Sequence, residues 1–260
     1  MQLSPNSEPA ATDAGVNLTA LRDSFYAFSN VERNTVAALE NYVLRGLPQQ
    51  RSSVIIGCRE SFLVLHLAKF FSALVAVEED ANLLAEITAQ EPKIVACQIE
   101  PDDFKLIGRT DLIVISHLLQ SLGAWLETPE ERNHQRMAFL NHYYGSLETE
   151  GALLFLQNRP QNNYKQLLEF LSCTPSQESQ MLFEQINKQY TTEHYLFPVE
   201  IYTQRAEDMI QALSYLLLDN NIDWTEKAIS LQTYVKTLLQ LDGNYYFNYE
   251  GEITIMRKKA

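Results

Sequence analysis

The fold is decided by Ser53-Val54-Ile55-Ile56-Gly57-Cys58-Arg59-Glu60-Ser61 and, a short helix later, Ala73-Leu74-Val75-Ala76-Val77-Glu78. Residues 54–56 are a β-branched run stopped by glycine, the composition of a parallel strand buried on both faces. Phe62, Leu65, Leu67 and Phe70 follow in a helical stretch. A second apolar strand then ends in three acids, Glu78-Glu79-Asp80. Strand, helix, strand in so short a span predicts a parallel βαβ unit.

Working outward, the alternation continues. Leu83, Leu84 and Ile87 mark a helix broken at Pro92, and strands are predicted at 94–97 and 112–115. Thr128-Pro129-Glu130-Glu131 is a capping box with proline at the first helical position, opening a helix through Met137, Leu140 and Tyr144. Gly151 precedes a fifth strand at 152–156. The right-handed crossover rule makes this a doubly wound, mostly parallel α/β sheet.

Before it, Leu18, Leu21, Phe25 and Phe28 form one amphipathic stripe, and Val36, Leu39 and Val43 a second, stopped at Gly46 and Pro48. Ser29-Asn30-Val31-Glu32 between them matches a capping box. After it, Leu182, Phe183 and Ile186 suggest a helix, 199–202 a strand, and Met209, Ile210 and Leu213 a further helix. Trp224 opens another helical stretch towards Leu241. Tyr245-Tyr246-Phe247, a turn at Tyr249-Glu250-Gly251 and then Ile253-Thr254-Ile255-Met256 close the chain, the last as an antiparallel strand. The expected organisation is a flexible tail at 1–17 and a single domain at 18–260. That domain divides into a helical cap (18–48), a first half (53–157) and a second half (158–260).

Composition bounds the function. The 260 residues carry 20 basic and 33 acidic side chains, a formal net charge of −13. That field repels phosphate backbones and anionic membrane surfaces, so neither nucleic acid nor membrane is an expected partner. Cys58, Cys97 and Cys173 are scattered, fitting neither a disulfide framework nor a metal site, and point to a reducing, cytoplasmic setting. No apolar run reaches the ~20 residues that a membrane span requires.

In an open parallel sheet, ligands bind beyond the carboxyl ends of the strands, where strand order reverses. The residues to inspect are therefore 57–61, Glu78 and Glu79, 98–103, and Ser116-His117. A carboxylate ending the second strand can accept from both vicinal hydroxyls of a ribose. Alternatively, Glu78-Glu79-Asp80 is a charged helix start favoured by the helix dipole. The loop after the first strand has one glycine, with Arg59 and Ser61 where close backbone approach to a pyrophosphate would need glycine. NAD and FAD are therefore not expected. Glu32 is equally a capping residue, Asp102 and Asp103 a cap after Pro101, and His117 a partly buried ring.

The order of helical cap, strand-Gly57 loop, Val77-Glu78, Pro101-Asp102-Asp103-Phe104, Asp111-Leu112-Ile113-Val114 and Gly151-Ala152-Leu153-Leu154 resembles class I S-adenosylmethionine-dependent methyltransferases. It is also similar to the narrower histamine N-methyltransferase type. There the resembling ends are Asp23-Ser24-Phe25 through Leu47-Pro48 and the terminal Phe247-Asn248. The resemblance implies a Rossmann-like methyltransferase fold and S-adenosylmethionine as cofactor, flanked by Gly57 and its loop (with Glu60). Glu78 would lie on the ribose, Asp102 beside the adenine, and Ser116 in the pocket wall. His117 would face a small-molecule substrate such as an amine, as candidate base, with Glu32, Asn248 and Tyr249 as further substrate contacts. No metal is implied. The departure is the loop 57–61, which the family usually builds from glycines. Its erosion leaves open a second reading, a catalytically inactive binding or scaffold protein on the same fold.

Overall fold

A computed structural model describes residues 18–100, 103–106, 108–116, 126–173, 177–219, 222 and 225–259. The predicted tail, Asp102 and His117 lie outside the described residues. Helices α1 (Leu18–Phe28) and α2 (Val31–Ala38) come first, α2 running on through a π-helical segment (Leu39–Val43) and a 3-10 turn (Leu44–Gly46). The alternation then reads β1 (Ser52–Ile56), α3 (Ser61–Leu67), β2 (Ala73–Glu78), α4 (Ala81–Gln90), β3 (Val95–Gln98), β4 (Thr110–Ser116), α5 (Pro129–Gly145) and β5 (Leu147–Arg159). It closes with α6 (Asn162–Phe170), α7 (Gln177–Gln189), β6 (Thr192–Thr203), α8 (Ala206–Asp219), α9 (Ala228–Lys236) and β7 (Tyr245–Arg257).

These strands form one seven-stranded sheet in the order β3-β2-β1-β4-β5-β7-β6. β1 pairs in parallel with β2 on one side and β4 on the other, Val54 standing between Val75 and Ile113. β7 alone runs antiparallel, between β5 and β6. The predicted doubly wound, mostly parallel sheet with an antiparallel terminal strand is therefore observed.

Strand periodicity sorts the core into two layers. Ile55, Leu74, Ala76, Leu112, Val114 and Leu154 point to the face covered by α3, α4, α6, α8 and α9. Val54, Ile56, Val77, Ile113, Ile115 and Phe155 point to the face covered by α5 and α7. At the lower end of β1, buried Asp111 accepts hydrogen bonds from the backbone N–H groups of Arg51 (2.8 Å) and Ser52 (3.0 Å). The Thr128–Glu131 capping box forms as predicted.

Three expectations are corrected. Ser29–Glu32 makes no capping box. Ser29 is drawn into an antiparallel bridge with Ile201, and the Asn30 side chain is taken by Glu200, whose N–H donates to Asn30 Oδ1 at 2.8 Å. The Asn34 amide donates to the Pro198 carbonyl at 2.7 Å. The cap is thus stitched along the outer edge of β6. No helix is predicted over 162–170, yet α6 forms there with Tyr164, Leu167 and Leu168 as its buried stripe and Leu171 buried at its end.

The third correction concerns Gly251, which forms no turn. β7 is continuous through it, opposite Phe197 of β6. A Cβ on Gly251 would stand 2.3 Å from the Phe197 ring, so glycine is there to admit the ring. Gly251→Ala is expected to lower stability by about 1–3 kcal/mol in urea denaturation through this overpacking. The same substitution beside Phe197→Ala should cost less than it does alone, the sign of a direct coupling between the two positions.

Candidate active site

Strand order reverses between β1 and β4, so the carboxyl ends of these strands open the crevice in which a doubly wound sheet binds ligands. Four of the sequence-predicted site residues come together at this rim. Gly57 leaves β1 with φ 80°, a left-handed conformation that suits glycine, and its N–H donates to the Val77 carbonyl at 3.0 Å.

Glu78 ends β2, and its carboxylate turns back to the loop after β1. Its Oε2 accepts from the Cys58 N–H at 2.7 Å, and its Oε1 accepts from the N–H groups of Glu79 (3.0 Å) and Asp80 (3.4 Å). An ionised carboxylate has about four lone-pair directions, so this one is oriented by backbone and keeps capacity for an incoming hydroxyl. The helix-start reading of the acidic triplet belongs to Asp80 instead. Its Oδ1 caps α4, accepting from the N–H groups of Asn82 (2.9 Å) and Leu83 (3.3 Å).

Arg59 and Glu60 point in opposite directions. Arg59 is exposed and close enough to Glu79 to act on its charge. Burial, with the repulsion of Glu100 and Glu78, raises the Glu79 carboxyl above the usual range, and Arg59 opposes that shift. Glu60 is buried, and although it stands at the N-cap of α3 it does not cap. Its carboxylate instead accepts a hydrogen bond from the Ser116 hydroxyl at the end of β4. The rim therefore presents Glu60 beneath the loop and Glu78 beside it, while the arginine charge lies outside. Sequence reasoning placed both acids there but had no signal for their opposite couplings, since Ser116 lies 56 residues from Glu60.

The remaining candidates lie elsewhere. Glu32 is exposed in the first turn of α2 and acts electrostatically on His66. Asn248 sits on β7 opposite Glu200, above the end of β5, and its N–H donates to Asn163 Oδ1 at 3.0 Å. Tyr249 is buried against Tyr164 and Phe247. The same rim of β6 and β7 carries a set the sequence reading missed. Glu200 accepts from the Tyr246 hydroxyl at 2.8 Å and from the Asn30 amide at 3.2 Å, joining three distant segments. Among the described residues, no cluster of three or more His, Cys, Asp or Glu side chains could hold a metal ion, and no helix is long and apolar enough to cross a membrane.

Cys58 is fully buried under the loop, its Sγ 3.5 Å from the Val77 carbonyl. Burial, then the neighbouring Glu78 and Glu60 carboxylates, push its thiol far above the usual range. Alkylation needs the thiolate, so raising the pH through the ordinary thiol range should not label Cys58 in the folded chain. In mass spectrometry after iodoacetamide at about pH 8.5, Cys58 is expected to stay unmodified until urea is added. Native labelling of Cys58 at the rate of an exposed thiol would contradict this geometry.

No family model matches the chain, and no curated protein sequence does. Solved structures do match. A protein of Bacillus halodurans assigned as a methyltransferase superposes with a TM-score of 0.55 at 13% identity, covering 86% of this chain and 99% of that one. The N-methyltransferase NodS of Bradyrhizobium japonicum gives 0.52 at 12% identity, covering 88% and 97%. YjhP of Escherichia coli gives 0.55 at 11% identity, covering 94% and 100%. With strand order 3-2-1-4-5-7-6, an antiparallel β7 and these neighbours, the chain has the fold of class I methyltransferases.

Proposed function

We propose that the chain binds S-adenosylmethionine at the β1–β4 rim and transfers its methyl group to a small molecule, an amine being the class the acidic surroundings favour. The observation that carries this reading is the Glu78 carboxylate, locked by the Cys58 N–H at the end of β2 with acceptor capacity to spare. The donor set suits the group. Glu78 offers the acceptor that a ribose diol needs, and the Glu60–Ser116 pair offers negative charge where a cationic ligand end would lie. When bound, S-adenosylmethionine supplies a methyl group already activated on a sulfonium.

The residues then bind and orient. Gly57 flanks the ligand with backbone, Glu78 fixes the ribose, and Asp102 is assigned the adenine side. With an activated donor, catalysis comes largely from holding acceptor and donor in line. A neutral amine nitrogen needs no base to attack. The proton it sheds afterwards is assigned to His117, the residue that follows Ser116. Glu32 and Asn248 are assigned to the acceptor, with Tyr249 behind Asn248 as part of the wall.

The Glu60–Ser116 hydrogen bond also supports a second reading, a methyltransferase fold that has become a binding or scaffold protein, because a buried glutamate occupies the loop where small residues leave room for ligand. Titration calorimetry with S-adenosylhomocysteine and S-adenosylmethionine separates the two. The enzyme reading expects saturable binding that Glu78→Ala weakens by about tenfold or more, the worth of a charged hydrogen bond. Absence of heat at millimolar ligand leaves only the scaffold.

A further inference from the structure

The opposite rim of the sheet carries a concavity. A cavity of about 420 Å³ opens between the 3-10 turn at Leu44–Gly46, the start of β5 and the end of β7. Four cationic residues line it, Arg45, Arg257, Lys258 and Lys259, against the single acid Glu150. On a chain whose net charge is −13, this is a local reversal of sign.

The cations differ in how they are held. Arg257 is fixed from both sides: its Nε donates to Glu193 Oε1 at 3.2 Å and its Nη2 to the Tyr42 carbonyl at 2.8 Å. Gly46 lets the guanidinium lie close, since a Cβ there would come within 2.8 Å of Nη2. Arg257 Nη1 is buried without a hydrogen-bond partner among the described residues. Lys258 Nζ donates to the carbonyls of Gly145 (3.0 Å) and Leu147 (2.6 Å), which anchors its charge at the C-terminus of α5. Arg45 and Lys259 are exposed, and neither makes an ion pair among the described residues.

Buried donors and clustered like charges are costly unless an anion offsets them. Glu193 pairs with Arg257 and Glu150 is the one acid in the lining, so four cations face two carboxylates, with Arg45 and Lys259 exposed beside an anchored pair. The volume lies in the small-molecule range of roughly 300–1,000 Å³. A long polyanion would meet the acidic remainder of the surface. We propose that this cavity is a binding site for a small molecule carrying a phosphate or diphosphate group, separate from the rim that holds Glu60 and Glu78. Arg45 and Lys259 close on the phosphate oxygens, while Arg257 and Lys258 supply fixed positive charge from below.

Inorganic pyrophosphate titrated into the full chain at low salt is the test. The expected result is saturable binding of one equivalent. The paired variant Arg45→Glu, Lys259→Glu should weaken it by about tenfold or more, and Arg45→Ala, Lys259→Ala by less. Glu78→Ala should leave it unchanged, so this site and the methyltransferase reading fail independently. No saturable binding by about 10 mM pyrophosphate, or equal binding by wild type and both paired variants, overturns the proposal. Sedimentation with vesicles of phosphatidylcholine and phosphatidate, without binding of free pyrophosphate, also overturns it in favour of a membrane surface.

Discussion

Burial of β1 on both faces is the constraint from which the rest of the molecule follows. A strand with helices above and below it reads as a continuous apolar run rather than an alternating one, and Val54, Ile55 and Ile56 do so, with only the small Ser53 buried before them. Being central, β1 has a parallel neighbour on each side, and the chain must leave it first towards β2 and later return to β4. The crevice at the reversal is a consequence of that route. So is the fact that residues 20 and 56 apart, Cys58 with Glu78 and Glu60 with Ser116, meet at one rim.

At that rim, backbone and carboxylate exchange roles. A glycine-rich loop approaches a ligand by removing side chains. Here only Gly57 is free of one, and the loop is held by an acid from the neighbouring strand. The Glu78–Cys58 bond ties the end of β2 to the turn after β1, and the buried Cys58 side chain fills the space beneath. Arg59 then has no way inward and lies outside beside Glu79, while Glu60 follows the chain into the interior. The loop's departure from small residues is thus accommodated by sorting charges to opposite sides of the backbone.

Much of this was legible in the sequence. β1, β2 and α5 announce themselves through a β-branched run, an apolar run ended by acids and a complete capping box, signals that depend on neighbours along the chain. The polar ends of β5 and β7 did not, because Gln157–Arg159 pairs with Glu250–Glu252 only across the sheet. Gly251 misled for a related reason: glycine reads locally as a turn, whereas its cause is the ring of Phe197 on another strand. In the site, residue types were readable and directions were not. Nothing in Gly-Cys-Arg-Glu-Ser says which charged side chain turns inward, since that is settled by a serine at the end of β4.

The stitching of Ser29, Asn30 and Asn34 onto β6 has a consequence beyond the packing of two helices. A strand of this length at the margin of a sheet is a template on which another chain can add itself through backbone hydrogen bonds. Pro198 interrupts part of that template, and the cap's amides occupy the carbonyls and N–H groups around it. The N-terminal helices therefore act as a stopper that ends lateral growth of the sheet. Any movement of them that freed Asn30 and Asn34 would bare a sticky border, so the seating of the cap and self-association are set against each other.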